Sequence, residues 1–207
     1  ESLERNYPLA PVHATVARYA REAGLPVLDL APEMHQGIGG RLRLAEGFQG
    51  VYLRTPIVPP RLRAGSEERA QALATANAKA IAPLLGKART CTCSILVVND
   101  ATLYLQAGDY ERFREVLQTF PTVLVNAYYG NSFPDYRLSR RERRLTERLM
   151  AAWGCDAHNS HTNVCSAAAR TGAPAWARTA FTPTVRSSVL LPDMFEPLTI
   201  SRRGRCP

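Results

Sequence analysis

Lysine is almost absent from this chain: of 26 basic residues, only Lys79 and Lys87 are not arginine. A guanidinium makes planar, bidentate contacts with phosphate that an ammonium does not. The bias, with a net charge of +8, therefore points to an acidic partner such as RNA, a nucleotide or an acidic protein. Long apolar runs are also missing; none approaches the roughly 18 residues that a membrane helix needs, so no membrane span is expected. The first residues, Glu1-Ser2-Leu3-Glu4-Arg5, precede no apolar stretch of a secretory leader. Histidine is scarce, and only His13, His35, His158 and His161 are available as an imidazole base. Five cysteines cannot all pair within one chain, and Cys91 and Cys93 suit small apolar thiols entering a buried strand. An intracellular or organellar setting is expected. G-x-x-x-x-G-K-[ST], G-x-G-x-x-G and G-x-S-x-G are all lacking, which removes the two common nucleotide fingerprints and the serine elbow.

Hydrophobic content of 45% and charged content of 21% are those of an ordinary folded chain. The stretch from Ser94 to Gly130 organises it. Ile95-Leu96-Val97-Val98 and Val123-Leu124-Val125 are continuous β-branched runs rather than alternating ones, the pattern of strands buried on both faces of a parallel sheet. Between them Asp109 caps a helix with Tyr110, Phe113, Val116, Leu117 and Phe120 on one face, and Pro121 stops it. A right-handed βαβ crossover follows.

Further strands are expected at Pro26–Leu30 and in the run 51–58, where Pro56 argues for an edge strand or an early end. Helices are expected over residues 9–23, ended by Gly24, and from an N-cap at Ser66 to about Gly86, with Pro83 kinking or terminating the second. Ser139 and Glu142 have the spacing of a capping box for a last helix. The fold class is α/β: three layers over residues 1–154, with about four mostly parallel strands flanked by helices. Residues 155–207 read as an irregular basic tail, in which only Ser187–Leu191 looks like a strand. The stretch 16–32, VARYAREAGLPVLDLAP, resembles the late helix and strand of SGNH-type hydrolases. That family's Gly-Asp-Ser block and closing Asp-x-x-His are absent, so the resemblance implies a helix and strand pair and carries no catalysis.

Open parallel sheets bind ligands beyond the carboxyl ends of their strands, which makes Asn99, Asp100 and Asn126 site candidates, alternatively simple turn and cap residues. Tyr128 and Tyr129 follow the last strand and can stack on a base or sugar, or pack over the sheet edge. Asp29, His35 and Asp100 form the best acid/base or metal-binding set. Arg140, Arg141, Arg143, Arg144 and Arg148 crowd one helix and suit phosphate or RNA contact, against the alternative of a solvated face. Cys155, His158, His161 and Cys165, spaced C-x2-H-x2-H-x3-C, offer the four ligands of a structural zinc site, or a polar loop. Two functions follow: a basic subunit binding RNA or an acidic partner within a larger assembly, or an enzyme acting on a small phosphorylated or nucleotide-like ligand at the strand ends.

Overall fold

A computed structural model describes residues 24–33, 40–129, 133 and 135–153, and the backbone of 164–167 and 197–203. Four adjacent parallel strands make up one side of the sheet: β1 (Pro26–Asp29), β2 (Val51–Arg54), β3 (Ile95–Asn99) and β4 (Thr122–Tyr128). Two short helices, α1 (Pro60–Arg63) and α3 (Thr102–Leu105), and three longer ones, α2 (Glu67–Arg89), α4 (Tyr110–Gln118) and α5 (Arg137–Ala152), accompany them. The chain is thus an α/β fold, as the β-branched runs require. β6 (Pro197–Arg203) pairs antiparallel with β4, and β5 (Val164–Ala167) pairs parallel with β6, giving the order β2-β1-β3-β4-β6-β5. The helix expected over 9–23 and the strand expected at Ser187–Leu191 lie outside the described residues.

Alternation along the strands sorts the sheet into two faces. Leu28, Leu53, Leu96, Val98, Val123 and Val125 pack against Ile81 and Leu85 of α2, Phe113 and Leu117 of α4, and Leu145 and Leu149 of α5. Val27, Ile95, Val97 and Leu124 point the other way and meet Leu42, with Leu44 and Phe48 against them. Gly24 stands at φ 80°, in the left-handed region, which frees the chain to turn into β1 without the Cβ clash other residues would suffer.

Two caps read from the sequence form as expected. Ser66 Oγ accepts from the Arg69 amide at 3.2 Å, and Asp109 Oδ1 from the Arg112 amide at 3.1 Å. Each satisfies a donor that a helix start otherwise leaves bare. Ser66→Ala is expected to cost about 1 kcal/mol, read as a lower urea midpoint with an unchanged slope.

Two other helix ends differ from expectation. α2 passes through Pro83 and ends at Arg89, because Pro83 is on the exposed side, where water can take the carbonyl that lost its donor. No Ser139–Glu142 capping box forms. α5 starts at Arg137, whose amide donates at 2.6 Å to Glu67 Oε1 of α2. A carboxylate from another helix supplies the cap, so Ser139 lies inside the helix and Glu142 turns to the interior.

Candidate functional site

The strand order places β1 and β3 side by side, with their onward connections leading in opposite directions, β1 to β2 and β3 to β4. Such a reversal opens a crevice beyond the carboxyl ends. Asp29, Asn99 and Asn126 lie at or near these ends, buried on the same side of the sheet, and are joined in one hydrogen-bonded row. Asn126 Nδ2 donates to Asn99 Oδ1 at 3.2 Å, and Asn99 Nδ2 donates to Asp29 Oδ1 at 2.8 Å and to the Gly40 carbonyl at 3.3 Å.

Asp29 is the hub of this row. Its Oδ1 also accepts from the Ala31 amide at 3.3 Å, and its Oδ2 from the Leu42 amide at 2.8 Å and from the Tyr52 hydroxyl. Four donors fill the roughly four acceptor sites of a carboxylate. Burial, and then the bond to Asp29, push the Tyr52 hydroxyl well above its ordinary pKa, so it remains a donor. Asp29 therefore ties β1 to β2, β3 and the 40–42 loop, with no acceptor site left over for a ligand.

The next residue along β3 is built differently. Asp100 has φ 56° and is the one non-glycine residue with positive φ among those described, a conformation that Asp tolerates better than most side chains. Although the residue as a whole is half-buried, its Oδ1 is enclosed and lacks a hydrogen-bond partner among the described residues. Burial pushes its carboxyl up to about 7, with Asp29 adding to the shift, while Arg61 and the hydrogen bond with Thr102 act against it. Thr102 Oγ1 in turn accepts from the Tyr128 amide at 2.7 Å, tying the Asp100 turn to the end of β4.

Arg61 and Glu142 complete the interior group. Arg61 Nη1 donates to Glu142 Oε1, and Gln106 Nε2 to Glu142 Oε2 at 2.8 Å. The two charged side chains are only 8% and 4% exposed. Burial pushes the Glu142 carboxyl up to about 7, opposed by Arg61 and Gln106 and reinforced by Asp100. The Arg61 guanidinium lies 4.0 Å from the ring centre of Phe133 and 4.8 Å from that of Tyr128, the stacked arrangement in which a desolvated cation gains most. The sequence reading missed Arg61, Gln106 and Glu142. The available signal was that Glu142 shares the helical stripe of Leu138, Leu145 and Leu149, where a buried acid requires a partner.

In front of this group, beyond the end of β4, is a cavity of about 290 Å³. Tyr128, Tyr129 and Phe133 supply aromatic walls, Arg61 and Arg143 guanidinium groups, and Ser139 a hydroxyl. Arg143 lies 4.9 Å from the Tyr129 ring centre, and the Tyr129 hydroxyl donates to Glu147 at 2.9 Å. Arg140 stands at the rim, with its Nη1 2.9 Å from both the carboxylate and the carbonyl of Asp135.

The five arginines of α5 therefore do different things. Arg141 donates to the carbonyls of Leu105 at 2.9 Å and Gly108 at 2.7 Å, finishing the α3 corner. Arg148 reaches Glu111 at 2.6 Å and lies over the Tyr110 ring. Arg143 enters the cavity, Arg140 guards it, and Arg144 is exposed. His35, Cys155, His158 and His161 lie outside the described residues, and Cys165 is described only as backbone within β5. Among the described residues no group of three or more His, Cys, Asp or Glu side chains converges as a metal site, and no helix is long and apolar enough to cross a membrane.

Comparison with known proteins brings no match, whether to a protein-family model, a curated protein or a solved structure. The site is thus read from its own chemistry. It offers π faces, guanidinium groups, a hydroxyl and the carboxyls of Asp135 and Glu142 around a small cavity, with Asp100, a second carboxyl of raised proton affinity, close to Glu142.

Proposed function

We propose that this chain binds a small phosphorylated or nucleotide-like ligand in the cavity beyond β4. The observation that carries the reading is the set of aromatic rings and guanidinium groups sharing one cavity at the carboxyl end of a parallel strand. Guanidinium groups favour the anionic oxygens of a phosphate, and tyrosine and phenylalanine faces favour a base or sugar. Asp100, with a proton affinity near neutrality, is the group best suited to move a proton should the ligand be turned over.

Calorimetric titration with a nucleotide, its nucleoside and inorganic phosphate tests this. The nucleotide is expected to bind more tightly than the nucleoside. Arg143→Ala is expected to weaken it about tenfold, the loss of one charge-assisted contact. Equal binding of nucleotide and nucleoside, or an Arg143→Ala variant that binds like the parent, would remove the reading.

A second reading rests on a different observation. Arg140, Arg144 and Arg148 follow one another at four-residue spacing and are exposed along one stripe of α5. Such a stripe suits RNA or an acidic protein within a larger assembly. That reading expects binding that falls steeply with salt and is lost in Arg144→Ala/Arg148→Ala, a pair outside the cavity.

A further inference from the structure

Glu142 from α5 pairs with Arg61 from α1 in the wall of the cavity, and Asp100, just after β3, is near enough for its charge to act on Glu142 and for that of Arg61 to act on it. One guanidinium thus serves two carboxyls. With both ionised, the group carries a net negative charge that Arg61 alone does not balance. Among the described residues Asp100 Oδ1 takes no hydrogen bond. Both oxygens of Glu142 are held, by Arg61 and Gln106. The groups acting on the pair come from every side: Asp29 from β1, Arg61 from α1, Thr102 from α3 and Gln106 just after it.

We propose that the cavity takes up its anionic ligand together with a proton, held by Asp100 and Glu142 around Arg61. The proposal rests on the anion-binding reading above and names how that site is regulated. An anion placed against Arg61 adds negative charge beside two carboxyls already short of compensation, and a proton on either one relieves it. By reciprocity, a protonated pair leaves more of the Arg61 charge free for the anion. Burial has already brought both carboxyls to about 7, so the exchange falls at neutral pH. Affinity for the anion is therefore high below neutrality and declines as pH rises through it.

Inorganic sulfate is the suitable probe, because its own charge does not change across neutral pH, whereas a phosphate ester's does. Its binding to the whole chain would be measured by calorimetry at about pH 6 and about pH 8 at fixed ionic strength. For one proton taken up per anion the dissociation constant is expected to rise by up to about tenfold per pH unit. In Asp100→Asn/Glu142→Gln it should be nearly flat. Asn accepts the left-handed backbone at position 100, and Gln preserves an acceptor for Arg61.

Sulfate binding that ignores pH in the parent, or a slope that survives in the double variant, would overturn proton coupling and leave the anion site standing. Absence of sulfate binding at either pH would overturn both. Should the double variant not fold, carbon-13 carboxyl titration of the parent decides the matter. Two carboxyls titrating near neutrality, moved upward by sulfate, support the coupling, and titration in the ordinary carboxyl range with no response to sulfate overturns it.

Discussion

Replacement of Asp29 by alanine is expected to lower the folding stability by about 3–5 kcal/mol, because four donors lose one buried acceptor together. The Ala31 and Leu42 amides, the Asn99 amide group and the Tyr52 hydroxyl all end on this carboxylate. Asp29 itself is fully buried, so water does not step in to replace it. The loss would loosen β1 from the 40–42 loop and from Tyr52 of β2. Asp29→Asn keeps the shape but turns one acceptor into a donor facing other donors, and a cost of about 2–3 kcal/mol is expected. Urea denaturation of the two variants checks both figures. A variant as stable as the parent would return Asp29 to the acid/base role that its place at a strand end suggests.

Arg61→Ala is expected to be as damaging, and its effect should depend on pH. Removing the cation takes from the buried Glu142 its ion-pair partner and from Asp100 a nearby positive charge, a change that costs about 3–5 kcal/mol when one partner of a buried pair is deleted. The sign of the pH dependence follows from both carboxyls holding protons more tightly folded than unfolded. Their contribution to stability is complete below the ordinary carboxyl range and is lost as pH rises through about 7. In the parent, this pair therefore favours the folded state at pH 5 over pH 8. Arg61 opposes the rise in both carboxyls, so its removal pushes them higher still and steepens the decline. Thermal unfolding of Arg61→Ala should show the larger deficit at about pH 8 and the smaller at about pH 5. Adding Glu142→Gln to Arg61→Ala should recover part of the loss, since the isolated buried charge is gone. A deficit equal at both pH values, with no recovery in the double variant, would mean that Arg61 acts through packing on Phe133 and Tyr128 alone.

These two variants separate roles that composition cannot. Asp29 and Asp100 are both acids at the carboxyl ends of adjacent parallel strands. The first meets four donors and is saturated, whereas the second enters a left-handed turn and has an oxygen without a hydrogen-bond partner among the described residues. The arginines of α5 divide in the same way. Arg141 ends on backbone carbonyls, while Arg143 reaches the cavity. No residue-type count distinguishes them.

The sequence by itself determined the parts governed by local period and local hydrogen bonding. Continuous β-branched runs specify β3 and β4 as buried parallel strands, and the side chains of Ser66 and Asp109 cap helices within three residues of themselves. The buried face of α4, Tyr110, Phe113, Val116 and Leu117, follows directly from helical spacing. Tertiary structure alone decided where α5 begins, because its cap is Glu67, 70 residues earlier in the chain. It alone decided that Glu142 is an interior acid, because its partner Arg61 is 81 residues away. A local pattern records which groups a residue can satisfy nearby. A buried charge is settled by whichever opposite group the fold brings to it, and that choice is made only when the helices close over the sheet.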